Sequence, residues 1–284
     1  MVKVLVTGGD GQLGKCLKGI QEKYNNIEFF FANKSVLDIT QEPLVENFFT
    51  QNNFDWCINC AAYTAVDKAE NDIENSEKIN SIGVKNLAEA CSKNSIKIIH
   101  ISTDFVFDGK QNRAYREDIN VNPLGVYGHT KLLGETELIK GNPKHFIIRT
   151  SWLYSEFNHN FMKTMLRLAK EKEELNVVSD QIGTPTYARD LAKVIVNIIK
   201  QDSPTYGVYH YSNEGVASWY DFAKAIFDLK NIKIKVNPVH TESYPTPSKR
   251  PHFSVLDKTK IKNTFSIDIP YWRDSLKEAL SNLE

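Results

Sequence analysis

Short apolar segments alternate with longer amphipathic segments through the first two-thirds of the chain. Strand-like segments cover residues 2–7, 27–32, 55–60, 96–102 and 145–150, and helical segments cover 12–24, 41–52, 72–94 and 124–140. Alternation of this kind predicts a parallel sheet with helices on both faces. Val4-Leu5-Val6 and Ile98-Ile99-His100-Ile101 are almost continuously apolar, as expected of strands that are covered on both sides. We therefore predict an α/β chain built on a Rossmann-like, doubly wound parallel sheet.

The pattern loosens after Thr150. Helices are predicted near 158–172, 188–200 and 271–283, strands near 175–178 and 206–211, and proline-rich turns at Pro238, Pro245, Pro247 and Pro251. These elements predict that residues 1–151, with about 179–211, form the sheet domain. Residues 152–178 and 212–284 are predicted to form a smaller C-terminal α/β lobe that closes a cleft.

The charge balance excludes partners that are recognised by a long-range field. Thirty-five Lys and Arg residues balance 35 Asp and Glu residues, so we expect neither nucleic acid nor a membrane surface as a partner. The N-terminal sequence runs directly into a strand pattern, and no apolar run is long enough to cross a bilayer. We expect a cytoplasmic protein that grips anions locally.

Four cysteines, Cys16, Cys57, Cys60 and Cys91, fit a reducing compartment. Cys57 and Cys60 have CxxC spacing, but they lie in a strand-like segment where residues three apart point to opposite faces. With no second CxxC and no HExxH, we predict core thiols and no metal site.

Three glycines follow the first strand at the start of the first helix. Gly8, Gly11 and Gly14 have GxxGxxG spacing, which allows a tight turn and close approach of the backbone to a pyrophosphate. The amides of Gln12 and Leu13 would meet the phosphates at the helix N-terminus. This turn makes the sheet domain a candidate dinucleotide-binding domain, and the smaller lobe a candidate substrate-binding lobe.

Two other interpretations of the glycine turn stay open. Residues 9–16 nearly match the P-loop pattern GxxxxGK[ST], but Cys16 stands where a Mg²⁺-binding hydroxyl is required. The turn is also compatible with a purely structural role.

The end of the second strand bears on the choice of cofactor. No carboxylate follows Phe29-Phe30-Phe31-Ala32, whereas Lys34 and Ser35 are placed to receive a 2′-phosphate. We predict NADPH as the preferred cofactor, with NADH as the alternative. Asp38 and Ile39 are predicted to line the adenine.

Tyr127 and Lys131 form a YxxxK pattern on a predicted helix. Four-residue spacing puts both side chains on one face, where an ammonium would lower the pKa of the phenol. Thr103 ends a strand upstream, at the edge of the sheet where such folds bind ligands. Tyr127 is the predicted proton donor to a carbonyl oxygen, and Thr103 is predicted to donate a hydrogen bond to the same oxygen. Lys131 is predicted to hold the nicotinamide ribose.

Together these residues resemble the extended short-chain dehydrogenase/reductase family. Within it, the similarity is to the branch of reductases that act on dTDP-4-dehydro-L-rhamnose, and it covers essentially the whole chain. The segments that carry it are 61–70, 102–109, 149–154, 179–186 and 250–252.

The resemblance implies reduction of the C4 keto group of dTDP-4-dehydro-L-rhamnose to dTDP-L-rhamnose, for surface polysaccharide synthesis. It implies that Thr103, Tyr127 and Lys131 are the catalytic residues. The implied cofactor contacts are Gly11, Gln12, Leu13, Asp38, Ile39, Ala62, Tyr63 and Thr64.

Substrate contacts follow from the same resemblance and from residue chemistry. Asp104 and Trp152 match the family's sugar contacts, and Trp152 offers a flat apolar wall to a deoxy sugar. Arg250 suits a diphosphate because its guanidinium binds such oxygens in pairs. Asn160 and Gln181 are expected near the nucleotide.

Other functions remain possible from sequence alone. A nucleotide-sugar epimerase or another 4-ketoreductase would share the fold, and one branch of the family serves as a regulatory subunit. We expect a monomer or a homodimer.

Overall fold

Six parallel strands form the central sheet of the computed structural model, which describes residues 1–283. They are β1 (Val2–Thr7), β2 (Ile27–Ala32), β3 (Trp56–Asn59), β4 (Lys97–Thr103), β5 (His145–Thr150) and β10 (Gly207–His210). Their order is β10-β5-β4-β3-β1-β2, with every neighbouring pair parallel. The chain therefore moves in opposite directions from β1, to β2 on one side and to β3 on the other, which opens a crevice at the carboxyl edge. The predicted doubly wound sheet is confirmed.

The remaining strands form three two-stranded pairs outside the sheet. They are β6 (Leu153–Tyr154), β7 (Glu174–Val178), β8 (Ile182–Gly183), β9 (Thr186–Tyr187), β11 (Ala217–Ser218) and β12 (Lys235–Val239). The pairs are β6 with β9, β7 with β12, and β8 with β11.

Eleven α-helices are present in residues 1–283. They are α1 (Gln12–Ile20), α2 (Glu42–Gln51), α3 (Val66–Ala69), α4 (Ile73–Glu77), α5 (Gly83–Lys93), α6 (Val126–Gly141), α7 (Phe161–Glu171), α8 (Ala188–Gln201), α9 (Trp219–Leu229), α10 (Thr259–Phe265) and α11 (Trp272–Ser281).

Alternating side chains of the sheet build two cores. Along β1, Val4 and Val6 join the cluster under α1 and α8, whereas Leu5 joins the cluster under α2 and α5. All three side chains are fully buried, because helices cover both faces as the apolar runs predicted.

A third core lies between α7, α9, α11 and β7. Its centre includes Met162, Phe222, Ile226 and Leu276. The division into a sheet domain and a lobe at the predicted boundaries stays a prediction. Within the predicted lobe, α10 packs on the sheet side, since Ile261 and Phe265 belong to the cluster under α8.

The predicted helix at 72–94 is interrupted. After α4, a π-helical turn over Lys78–Ile82 precedes α5. Asn80 in this turn accepts a hydrogen bond from the Tyr63 amide at 2.9 Å and donates to the Tyr63 carbonyl at 3.1 Å. The regular α-helical hydrogen bonding is therefore interrupted at the turn where Asn80 fixes the loop after β3.

No helix among residues 1–283 is both long and apolar enough to cross a membrane.

Candidate active site

A cleft of about 990 Å³ opens at the carboxyl edge of the sheet. Twelve of the predicted site residues line it: Gly11, Gln12, Leu13, Ala62, Thr64, Thr103, Asp104, Tyr127, Lys131, Trp152, Gln181 and Arg250. Residues that are up to 239 positions apart in the chain thus meet in one crevice. The other eight predicted residues lie outside this lining: Gly8, Gly14, Lys34, Ser35, Asp38, Ile39, Tyr63 and Asn160.

The glycine turn forms one end of the cleft. Gly8 has φ of +65°, and a Cβ there would stand 2.7 Å from the Ala61 amide nitrogen. A Cβ on Gly14 would stand 2.6 Å from the Gly9 carbonyl oxygen, so both glycines are required by close backbone packing. No side chain of residues 1–283 caps α1 at Gly11, and its first amides are therefore free to bind an anion.

Cys16 is completely buried in the core under α1. The Lys15 amine donates to Asn158 Oδ1 at 2.8 Å. A P-loop would need a hydroxyl at position 16 that faces the phosphates, and the buried thiol does not provide it.

The tip of β2 is organised by Asn33. Its amide donates to Asp10 Oδ2 in the glycine turn at 2.8 Å, and its Oδ1 accepts from the Ser35 hydroxyl at 2.7 Å. Lys34 extends into solvent with its side chain 81% exposed, 3.9 Å from Asp38. No acid follows β2 in the sequence, but the hydrogen bond from Asn33 places the Asp10 carboxylate beside the tip of this strand. Sequence reasoning did not identify Asp10.

Three residues predicted to bind the cofactor make hydrogen bonds or core contacts within the protein. Asp38 accepts hydrogen bonds from the amide and hydroxyl of Thr40, at 3.0 and 2.7 Å. Ile39 is buried, and its carbonyl accepts from Asn86 at 2.9 Å. The Tyr63 hydroxyl donates to Asp72 at 2.9 Å. Their predicted contacts with a cofactor stay predictions.

Thr103, Asp104 and Tyr127 meet where β4 ends. The Thr103 hydroxyl donates to Asp104 Oδ1 at 3.1 Å and accepts from the Phe105 amide at 3.2 Å. The Tyr127 ring packs edge-on against Phe105, with ring centroids 5.5 Å apart. Burial raises the pKa of Asp104 to about 6, partly offset by hydrogen bonds from Ser254 and Thr103.

The protonation of Tyr127 differs from the sequence expectation. Burial raises the pKa of the phenol to about 12; the Thr103 hydroxyl opposes this rise and Asp104 adds to it. The predicted lowering of this pKa by the Lys131 ammonium was wrong, because desolvation of the phenolate dominates. Tyr127 is a neutral phenol at pH 7.

Lys131 projects from α6 onto β4. Its amine donates to the Ile101 carbonyl at 2.7 Å and lies 3.2 Å from His100 Nε2. Burial lowers the pKa of Lys131 to about 8, while Glu135 and Cys60 oppose this change.

A buried ion pair lies one turn further along α6. Arg149 donates to both carboxylate oxygens of Glu135, at 2.9 and 2.7 Å. Ser102 also donates to Glu135. These bonds tie α6 to β4 and β5 directly beneath the cleft.

Trp152 and Trp219 form a stacked pair in the lining of the cleft. Their ring centroids are 3.6 Å apart with 8° between the planes. Trp152 has φ of +47°, an unfavourable backbone conformation for a bulky residue. Trp219 lines the cleft as well. No sequence motif predicted Trp219 as a site residue, because only its stacking on Trp152, 67 positions earlier in the chain, places it there.

Arg250 and Asp67 form an ion pair in the lining of the cleft. The two guanidinium nitrogens Nη1 and Nη2 each donate to a carboxylate oxygen at 2.6 Å, and this contact lowers the pKa of Asp67. Arg250, which is predicted to bind the diphosphate, thus already has an anionic partner in Asp67. Asp67 is a further site residue that sequence reasoning did not identify.

Gln181 and Asn160 differ in their position. Gln181 lines the cleft and donates to the Thr241 hydroxyl at 3.2 Å. Asn160 caps α7 and donates to Gln12 Oε1 at 2.9 Å and to the Ser155 carbonyl at 2.7 Å. It therefore lies behind the lining, where it holds Gln12 in place.

The sheet and cleft define a Rossmann-type enzyme of the short-chain dehydrogenase/reductase class. The model of the RmlD substrate binding domain family matches residues 2–284, and the chain belongs to this family.

Relatives cover the chain almost end to end. The dTDP-4-dehydrorhamnose reductase of Aggregatibacter actinomycetemcomitans is 42% identical, over 98% of either chain. The crystal structure of such a reductase from Clostridium acetobutylicum has a TM-score of 0.95 at 44% identity, over 99% of each chain. The Bacillus anthracis reductase in complex with NADP has a TM-score of 0.94 at 40% identity, over 99% of this chain and 100% of the other. The family resemblance predicted from sequence is confirmed.

Proposed function

We propose that this chain reduces the C4 keto group of dTDP-4-dehydro-L-rhamnose to give dTDP-L-rhamnose, with NADPH as hydride donor. The main observation behind this proposal is that Tyr127 is neutral and lies beside Thr103. The other end of the same cleft is formed by the uncapped N-terminus of α1. The full-length similarity to dTDP-4-dehydrorhamnose reductases supports this choice of substrate.

The residues present fit a dinucleotide phosphate. Gly11, Gln12 and Leu13 would hold the pyrophosphate through backbone amides at the positive end of α1. The Lys34 amine lies exposed at the tip of β2, 3.9 Å from Asp38, and a cation there suits the 2′-phosphate that distinguishes NADPH from NADH. The NADP bound to the Bacillus anthracis relative agrees with this assignment.

When bound, the nicotinamide supplies the hydride, and the protein supplies the proton. Tyr127 donates its phenolic proton to the C4 oxygen, which becomes a hydroxyl. Thr103 donates a hydrogen bond to the same oxygen while negative charge develops on it. General acid catalysis of this kind contributes roughly 10²–10⁴-fold.

The side of the cleft lined by Trp152 and Arg250 fits a nucleotide sugar. The Trp152–Trp219 stack offers a flat apolar edge to the methyl-bearing sugar ring. Arg250 presents a forked donor for the diphosphate. Asp104, largely buried, accepts from sugar hydroxyls, and Gln181 contacts the nucleotide.

The test is incubation of the purified chain with dTDP-4-dehydro-L-rhamnose and either NADPH or NADH, followed by chromatography of the sugar product. We expect one cofactor oxidised for each dTDP-L-rhamnose formed. Interconversion of nucleotide sugars without net oxidation of NADPH would identify an epimerase instead. Binding of both ligands without turnover would identify a regulatory relative.

Substrate and cofactor of this kind are cytosolic metabolites, which is why we place the reaction in the cytoplasm. We propose a monomer or a homodimer as the working form.

A further inference from the structure

His100 belongs to the apolar run of β4 and is completely buried. Its Nε2 lies 3.2 Å from the Lys131 amine, and its Nδ1 lies 3.0 Å from the Asn59 side-chain nitrogen. The imidazole therefore joins β3 to a residue of the active-site cleft.

A backbone amide fixes the orientation of this line of side chains. Asn59 Oδ1 accepts from the Ala61 amide at 3.2 Å and from the Thr7 hydroxyl at 2.7 Å. Because a backbone N–H can only donate, the oxygen of Asn59 must face Ala61. The amide nitrogen of Asn59 must then donate to His100 Nδ1.

The accepting Nδ1 decides where His100 carries its proton. A neutral imidazole has one N–H, so the proton lies on Nε2 and points toward Lys131. Burial and the nearby Lys131 hold the pKa of His100 well below its ordinary value, so the ring stays neutral. An ammonium offers only protons to this N–H, whereas an amine offers a lone pair.

Resting on the reductase function proposed above, we propose that His100 is a positioning residue whose Nε2–H faces the Lys131 nitrogen: it opposes the ammonium and donates a hydrogen bond to Lys131 once the amine is neutral. The line Thr7–Asn59–His100 thereby favours release of a proton from Lys131.

Two of the other titratable groups around Lys131 act on its pKa in the opposite direction. Glu135 and Cys60 raise its pKa, but both Glu135 oxygens are already bonded to Arg149. Tyr127, one turn earlier on α6, is neutral at pH 7. Burial therefore outweighs them, and the pKa of Lys131 falls to about 8.

The first experiment measures the tautomer of His100 directly. Long-range ¹H–¹⁵N spectra of the full chain labelled with ¹⁵N-histidine should show a bare Nδ1 and a protonated Nε2 from pH 6 to 9. His100→Gln assigns the signals by removing them. A proton on Nδ1 would overturn the proposal, and this reading needs no enzymatic activity.

The second experiment measures the pH profile of kcat/KM in His100→Gln. The glutamine can turn its carbonyl oxygen toward Lys131, so the ammonium persists to higher pH. A charged donor holds the nicotinamide ribose more strongly than a neutral amine, so kcat/KM should follow the fraction of Lys131 that is an ammonium. One pH unit above a pKa of about 8, the wild type should keep about one-tenth of its plateau value and the variant about half. A profile identical to that of the wild type would refute the proposal.

His210→Gln is the matched control. His210 is equally buried at the end of β10, but its Nδ1 lies 3.0 Å from the Tyr115 carbonyl, outside the cleft. This variant should lose stability and keep the wild-type pH profile; an equal shift in both variants would also overturn the proposal. If the wild type reduces no nucleotide sugar, the proposed function fails, while the tautomer measurement still decides the role of His100.

Discussion

Among single residues, Tyr127 has the largest expected effect on the proposed chemistry. Tyr127→Phe removes the proton donor and keeps the ring that packs on Phe105. We expect kcat to fall by about 10²–10⁴-fold with little change in Tm. Steady-state kinetics and thermal melting measure the two effects.

Tyr206→Phe is the control for this change. Tyr206 also packs on a phenylalanine, 5.2 Å from Phe146, but lies outside the cleft. Near-normal kcat in Tyr127→Phe, or an equal loss in Tyr206→Phe, would remove Tyr127 as the acid.

Lys34 is the residue that should decide between the two nicotinamide cofactors. Lys34→Ala removes an exposed charge from the position proposed for the 2′-phosphate. We expect KM for NADPH to rise about tenfold, because a charge-assisted contact at an exposed site contributes roughly 1.5 kcal/mol, the low end of its range, and KM for NADH to stay unchanged. Preference for NADH in both wild type and variant would contradict the assignment.

At the scale of elements, α6 is positioned by glycines. A Cβ on Gly134 would stand 2.0 Å from the Asn80 carbonyl oxygen, and one on Gly128 would stand 2.2 Å from that of Phe105. The helix that bears Tyr127 and Lys131 thus rests directly on backbone, not on flexible side chains.

Gly134→Ala should therefore destabilise the fold by about 1–3 kcal/mol, since rigid backbone must move to admit the methyl group. Gly19→Ala is the matched control in α1, where the new Cβ meets only the Arg189 side chain at 3.4 Å. It should be neutral or stabilise by up to about 1 kcal/mol. Urea denaturation measures both, and equal stability of the two variants would contradict the close approach of α6.

The first five strands and α1 were predictable because their pattern is local. Apolar runs of four to seven residues, separated by amphipathic helices, fix the type of each element. The interruption at Lys78–Ile82 was not predictable, because it depends on the hydrogen bonds of Asn80 with Tyr63. Helices α9 and α10 and strand β12 were not predicted from the sequence, because their apolar faces pack only against segments that are distant in the chain.

The candidate site divides in the same way. Gly11, Tyr127 and Lys131 belong to motifs with fixed spacing, and the structure places them in one cleft. Asp67 and Trp219 have no local motif, and they are defined only by contacts with Arg250 and Trp152. The pKa of Tyr127 could not be predicted either, because burial depends on the whole fold.

At the scale of the whole molecule, the Arg250–Asp67 pair joins the loop before Pro251 to α3 in the lining of the cleft. Substrate binding would bring a diphosphate to the same guanidinium. We expect Arg250→Ala to raise KM for the nucleotide sugar about 10–100-fold, in line with the loss of a charge-assisted pair of hydrogen bonds, and to leave KM for NADPH unchanged.

Arg273→Ala is the control for this prediction. Arg273 also pairs with an aspartate, Asp228, but lies outside the cleft. An equal rise in KM for both ligands in Arg250→Ala would indicate collapse of the loop instead of a lost contact.

The stacked indoles of Trp152 and Trp219 have a practical consequence for studying this chain. Two of its four tryptophans lie face to face at 3.6 Å, on the wall of the cleft. A ligand that settles against them changes their exposure to water, so their fluorescence emission reports occupancy without any turnover. Affinities of inactive variants such as Tyr127→Phe can then be read optically and compared with those of the active chain.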